Sequence, residues 1–212
     1  MSPSSAVMSK PIELDDAAAW SAYRRTHAAD LTYKLPLRNG AEVTVRAIRP
    51  DDVERLQQFH LRLSSDTIVM RYFRAAPVLY SRDAQHLTHL DYDNRMALVA
   101  TTGVGDDEAI VGVVRYERIT ATEAELAFVV EDGWQGLGLS TRVLARLLMY
   151  ARERGFERMS AVTMATNMRM RAVLTHAGYP FTSAYDDGCL TVTLDITKKS
   201  SREDLASAAA RN

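Results

Sequence analysis

Residues 132–142, "DGWQGLGLSTR", constrain the fold more than any other stretch of the chain. An apolar run of β type, "ELAFVV" (125–130), precedes them. After them, Val143, Leu144, Leu147, Leu148 and Ala151 follow the i, i+1, i+4, i+5, i+8 spacing of an amphipathic helix. The chain is therefore expected to leave a strand, turn through two glycines and enter a long helix that stops at Gly155. Such a unit admits three readings. In the first, the glycines supply unusual φ values and nothing binds. In the second, the loop is a nucleotide fingerprint. Walker A fails for want of Gly-Lys-Ser/Thr, and G-x-G-x-x-G fails because Thr141 stands where the third glycine belongs. In the third, the backbone N–H groups of 136–141 converge on a pyrophosphate at a helix N-terminus, where four donors lack partners and the dipole favours anions. Glycine suits that use because a Cβ would stand between backbone and phosphate.

The flanking pattern alternates short strands with helices. Residues 1–14 read as disordered, and 15–29 as a short helix capped by Asp15, with Trp20, Tyr23 and His27 on one face. That aromatic stripe is expected to dock on its own domain or on a second subunit, which leaves a homodimer open. "LTYKLPLRNGAEVTVRAIR" predicts two strands around the turn dipeptide Asn39-Gly40, with Pro36 confining the first to an edge. Pro50 opens a helix, and "SSDTIVMRYF" and "SRDAQHLTHL" read as two more. "RMALVATT", "AIVGVVRYERI" and "ELAFVV" are strands. Beyond the long helix come strand "RMSAVTM", helix "NMRMRAVLTHA" ending at Gly178, and strands around "YPFTSAYDD" and "LTVTLDI". These divide the chain into an extension (1–40), a domain (41–197) and a mobile tail (198–212).

Composition narrows the function classes. A net charge of −1 gives no electrostatic case for nucleic acid or an anionic membrane. No apolar run approaches the roughly 20 residues that span a bilayer. The N-terminus lacks the layout of a signal peptide, so the cytoplasm is expected. The lone Cys189 excludes an intrachain disulfide and a multi-cysteine zinc site, and reads as a buried structural thiol. His86 and His89 have no partner at zinc spacing, and Asp91, Asp93 and Asn94 lack the glycine and glutamate of a calcium loop. No metal is expected.

"WQGLGLSTRVLARLLMYARERGF" resembles the central motif, Q/R-x-x-G-x-G/A, of the GCN5-related N-acetyltransferases (GNAT). Gln135, Gly138 and Ser140 fill its three positions, Ser140 departing from Gly/Ala but remaining small. Downstream, Asn167, Met170, Val173, Gly178 and Tyr179 fall where that family has N-x-x-A/M-x-x-L-x-x-x-x-G-F. The order of elements agrees over roughly residues 41–196. Nearer the N-terminus, Arg46-Ala47-Ile48-Arg49-Pro50-Asp51-Asp52, Arg62-Leu63-Ser64 and Arg71-Tyr72-Phe73 resemble the opening of bacterial protein-lysine acetyltransferase domains. Those relatives often carry a fused cyclic-nucleotide-binding or acyl-CoA-synthetase-like region. For that 212 residues leave no room, so direct nucleotide regulation is not expected.

The resemblance implies an α/β (α+β) fold: a mixed, mostly antiparallel sheet flanked by helices, with splayed central strands. It implies acetyl-CoA as cosubstrate and an amine as acceptor, a protein lysine first and a small-molecule amine second. A CoA-binding regulatory module without turnover is the reading from another class. The donor's pyrophosphate would sit on Gln135, Gly136, Leu137, Gly138, Leu139, Ser140 and Thr141. Its pantetheine would pair like an extra strand with Phe128, Val129 and Val130, an N–H near Val129 polarising the thioester oxygen. Asn167 would hold the pantetheine or a water, and also suits an N-cap. A lysine of pKa about 10.4 costs about 4 kcal/mol to neutralise near pH 7, so a base helps. Glu125 matches the glutamate of the A-E-x-A-F context, here "AELAF", while Glu123 and Glu131 read as solvated. Where many members carry a tyrosine acid, this chain has Leu174; Tyr179 and Tyr150 are the possible substitutes, and a thiol of pKa about 8.5 needs little help. From the residues alone, Arg142, Arg146, Arg152 and Arg154 read mostly as a solvated basic face of the long helix, with Arg142 within reach of a CoA phosphate.

Overall fold

A computed structural model describes residues 31–199. The expectations for the helix at 15–29 and for the tail beyond residue 199 lie outside the described residues. One sheet of eight strands organises the rest: β1 (Tyr33–Pro36), β2 (Glu42–Ala47), β3 (Arg95–Thr102), β4 (Ala109–Arg118), β5 (Glu123–Val130), β6 (Arg158–Met164), β7 (Phe181–Asp186) and β8 (Cys189–Asp195). Their order across the sheet is β1-β2-β3-β4-β5-β6-β8-β7, with β5–β6 parallel and every other pair antiparallel. Pro36 cannot donate to a ladder, and β1 does lie on the edge.

Helices cover the two faces. α1 (Val53–Leu61), α2 (Ser65–Tyr72) and α3 (Ser81–Thr88) bring Leu56, Phe59, Ile68 and Ala84 against Ala97, Val99, Ile110 and Val113. On the other face α4 (Leu139–Glu153) buries Leu144, Leu147 and Leu148 against Met96, Leu98, Val114 and Leu126. Central β3 is therefore buried almost end to end on both faces, which is why it reads as a continuous apolar run. β8 instead alternates: Leu190, Val192 and Leu194 are buried while Cys189, Thr191 and Thr193 are half-exposed. Cys189, expected buried, is thus only half-covered.

α5 (Met168–Thr175) stops short of the glycine the sequence suggested. The N–H of Ala177 bonds Leu174 rather than a carbonyl four residues back, so the last turn tightens before Gly178, at φ 81°, redirects the chain. At the start of the domain, the arginine–aspartate spacing of residues 46–52 has a structural explanation. Arg46 and Asp52, 2% and 0% exposed, form a bidentate pair at 2.6 and 2.7 Å, and Glu108 takes a further guanidinium nitrogen at 2.9 Å. Burial works against the Arg46 charge, but the two carboxylates more than offset it and raise its pKa.

Candidate active site

β5 is zipped to β4 from Gly112↔Val130 to Arg118↔Ala124, but to β6 only at Glu123↔Arg158, Ala124↔Met159 and Glu125↔Ser160. Beyond Glu125 the two parallel strands part. The ladder direction follows from one bond: the Glu131 N–H donates to Val111 O at 3.0 Å, toward β4. With a regular register, alternation turns the N–H and C=O of Val129 and Ala127 toward β4, and those of Phe128 and Val130 into the gap. The N–H groups near Val129 that face the gap are therefore those of Phe128 and Val130.

The gap opens on a cleft of about 880 Å³, within the usual range for a small-molecule site. Phe128, Val129 and Val130 form one wall, Gln135, Gly136, Gly138, Leu139, Ser140 and Thr141 its floor, and Asn167 with α5 the opposite wall. Leu137 does not line it; it packs on the core, and its carbonyl accepts from the Arg38 N–H. Gly136 (φ 76°) and Gly138 (φ 85°) occupy the left-handed region, and Gly138 is the N-cap of α4. Ten residues separate Glu131 from Arg142, and none of them is cationic, so this floor offers backbone donors, the Ser140 and Thr141 hydroxyls and the helix dipole, but no formal positive charge.

Side chains hold the floor in place. The Asp132 carboxylate accepts from Ser64 N at 3.0 Å, Ser64 Oγ at 2.7 Å and Thr67 Oγ1 at 2.8 Å, tying the start of α2 to the loop. Burial alone would raise its pKa; the bonds from Ser64 and Thr67 outweigh that and hold it below the ordinary carboxylate range. Gln135 Nε2 donates to Val130 O at 2.9 Å and Thr67 Oγ1 at 3.2 Å, while Arg169 donates to Gln135 Oε1. Asn167 caps α5, its Oδ1 accepting from Met170 N at 3.1 Å.

Glu125 does not line the cleft. It is exposed at the point where the strands part, on the sheet face covered by α1–α3, with Glu117 directly opposite on β4. Arg71 of α2 borders the cleft and acts electrostatically on Glu125; burial lowers the Arg71 pKa, and Tyr72 and Glu125 partly restore it. Arg115 beneath it is pushed down to about 10, by burial first and then by Arg71 and Arg95. Glu123 and Glu131, expected to be solvated, pair with Arg158 and Arg62. Arg142 is not directed at the cleft: its guanidinium donates to Pro36 O.

Leu174 is fully buried, so no acid stands at that position. Tyr150 is also buried, its hydroxyl donating to Tyr92 O at 2.7 Å, with burial pushing its pKa up to about 12. Tyr179, 3% exposed, lies in the core. Neither tyrosine lines the cleft. Conversely, Asp132, Thr67 and Arg71 gained no role from sequence, although Ser64 and Arg71 sit inside motifs that carried the resemblance.

The sheet parts above a glycine loop at a helix N-terminus, where backbone N–H donors and the helix dipole favour an anion. The family described as "Acetyltransferase (GNAT) domain" matches residues 42–180, and the chain belongs to it. It is an N-acetyltransferase of that family, which uses acetyl-CoA. An acetyltransferase of Pseudomonas aeruginosa is 33% identical over 148 residues, 68% of this chain and 77% of that protein. Acetyltransferase Pat of Mycolicibacterium smegmatis is 32% identical over 145 residues, and the match covers 68% of this chain but only 43% of Pat. The solved GNAT domain of S. lividans PAT is 34% identical, with a TM-score of 0.73 over 79% of this chain and 98% of that one.

Proposed function

We propose that the protein acetylates lysine side chains of other proteins by direct transfer from acetyl-CoA, with Glu125 as the base. The exposure of Glu125 at the mouth of the fork carries this reading. A lysine on a partner's surface reaches such a carboxylate without entering an enclosed pocket, and its long apolar stem suits an open approach. The likeness of residues 46–73 to protein-lysine acetyltransferase domains points the same way.

When bound, acetyl-CoA supplies an electrophilic thioester carbonyl. The chain does the rest. The N–H groups of 136–141 hold the pyrophosphate, and the gap-facing N–H and C=O of Phe128 and the Val130 N–H pair with the pantetheine amides and orient the carbonyl. Glu125 takes the proton that the lysine ammonium must lose before its nitrogen attacks. The new C–N bond forms as the C–S bond breaks, and the nitrogen's second proton is lost to water to leave the neutral amide. The departing thiolate takes its proton from water, since Leu174 offers none.

Incubation with acetyl-CoA and candidate proteins, read by intact mass, tests the proposal. Acetylated protein is the expected result. Donor consumption with small amines alone makes the acceptor a small molecule, and tight CoA binding without any turnover makes the protein a regulatory module.

A further inference from the structure

We propose that Arg38, in the turn between β1 and β2, is a phosphate-binding residue of the donor site. Its guanidinium would pair with a phosphate at the ADP end of acyl-CoA, above the backbone donors of 136–141. The inference rests on the donor reading given above and extends it to a residue outside the segment that matches the family, which begins at residue 42.

The turn is built firmly enough to aim a side chain. Leu37 N donates to Ala41 O at 2.7 Å, Asn39 Oδ1 accepts from Ala41 N at 3.1 Å, and Gly40 takes the positive φ of 82°. Leu35 and Leu37, 4% and 5% exposed, anchor it in the core. Two bonds then fasten it to the glycine loop: Arg38 N donates to Leu137 O at 3.3 Å, and Arg142 donates to Pro36 O. From that anchor the Arg38 side chain runs over Gly138. A Cβ built on Gly138 would lie 3.5 Å from Arg38 Nε, and the side chain borders the cleft beside Gly138 and Ser140.

Charge supplies the rest of the argument. Among the described residues, none gives the Arg38 guanidinium a hydrogen bond or an ion pair. Of the other arginines that line the cleft, Arg71 is largely buried beside Tyr72 with Glu125 acting on it, and Arg169 donates to Gln135 Oε1, which leaves Arg38 as the one whose side chain runs over Gly138. A CoA molecule brings a pyrophosphate and a 3′-phosphomonoester, the latter carrying about −1.5 to −2 near pH 7. The floor meets those charges with partial charges only, roughly half a unit at a helix N-terminus. A guanidinium, always protonated and able to bond phosphate in bidentate fashion, fits the deficit.

Calorimetric titration of CoA and of 3′-dephospho-CoA into the wild type, Arg38→Gln and Arg38→Lys tests this. Arg38→Gln should weaken CoA by about tenfold to a hundredfold, as expected for a charged hydrogen bond. Arg38→Lys should recover part of the loss, and thermal unfolding should be unchanged because the anchor is backbone. If the 3′-phosphate is the partner, the wild type loses as much on removal of that phosphate, and the glutamine variant no longer distinguishes the two ligands. If it is the pyrophosphate, the variant weakens both ligands equally. A folded Arg38→Gln protein with wild-type affinity for CoA overturns the assignment. A wild-type protein that fails to bind CoA at all overturns the donor reading instead.

Discussion

The two edges of β5 carry opposite assignments. Toward β4 the strand is paired along almost its whole length, with apolar side chains packed on both faces of the ladder. Toward β6 it is paired for three residues and then abandoned. An edge left open inside a protein exposes N–H and C=O groups that cost free energy unless something completes them. Here one is completed internally, Val130 O by Gln135. The others face a cleft wide enough for a ligand that pairs like a strand. On the proposed function, one edge serves stability and the other serves binding, and the boundary between them is Glu125. That division makes separable predictions.

The largest effect is expected at the boundary itself. Glu125→Gln keeps shape and removes the proposed base, so kcat should fall by about 10²- to 10⁴-fold. CoA affinity should hold, because Glu125 does not line the cleft. Activity of the wild type should rise with pH as more acceptor amine becomes neutral. A variant that retains most of its rate at pH 7 moves the base elsewhere or to solvent.

On the zipped side, Asp52→Asn removes the buried carboxylate of the Arg46 pair and leaves Glu108 as the remaining charged partner of that guanidinium. Breaking a buried pair costs about 3–5 kcal/mol; with Glu108 retained the loss should lie near the lower end, and about 3 kcal/mol lowers Tm by about 6–12 °C for a domain of this size. The protein that remains folded should bind CoA as before. On the open side, Gly138→Val should do the reverse. It places a branched side chain at φ 85°, against Arg38 and over the N–H donors. CoA affinity measured by calorimetry should drop more than tenfold, at a stability cost of about 1–3 kcal/mol for the backbone conformation. If Asp52→Asn weakened CoA as much as Gly138→Val, the two edges would not be independent.

Much of this was legible because it is local. The strand–glycine loop–helix unit is written in periodicity and two glycines, and both glycines do adopt positive φ. The parting of β5 from β6 came from the resemblance, not from residue patterns. The side chains that hold the loop left no readable signal, since Ser64 and Asp132 lie 68 positions apart and meet only through the fold. Arg142 misled for the same reason: a cation in the first turn of a helix looks available until a strand 106 positions away takes it. Leu174 reads as a departure from sequence alone, whereas the burial of Tyr150 and Tyr179 away from the cleft is visible only in the fold.

The smallest effect concerns how the open edge is kept open. Asp132 joins the loop to α2 through Ser64 and Thr67, so it fixes the floor of the cleft without touching the zipped ladder. Asn at this position keeps one acceptor oxygen and loses the charge. Because Asp132 is exposed, the loss should be about 0.5–1 kcal/mol, below that of a buried charged bond. The pH dependence identifies the cause. The carboxyl pKa is depressed in the folded protein, so its contribution is fully present above the unfolded value of about 3.9 and disappears as pH falls through the folded one. Urea unfolding of wild type and Asp132→Asn should therefore show a constant difference from pH 7 to about pH 5, shrinking below about pH 4. A difference that persists undiminished at pH 3 would mean that shape, and not charge, holds α2 to the glycine loop.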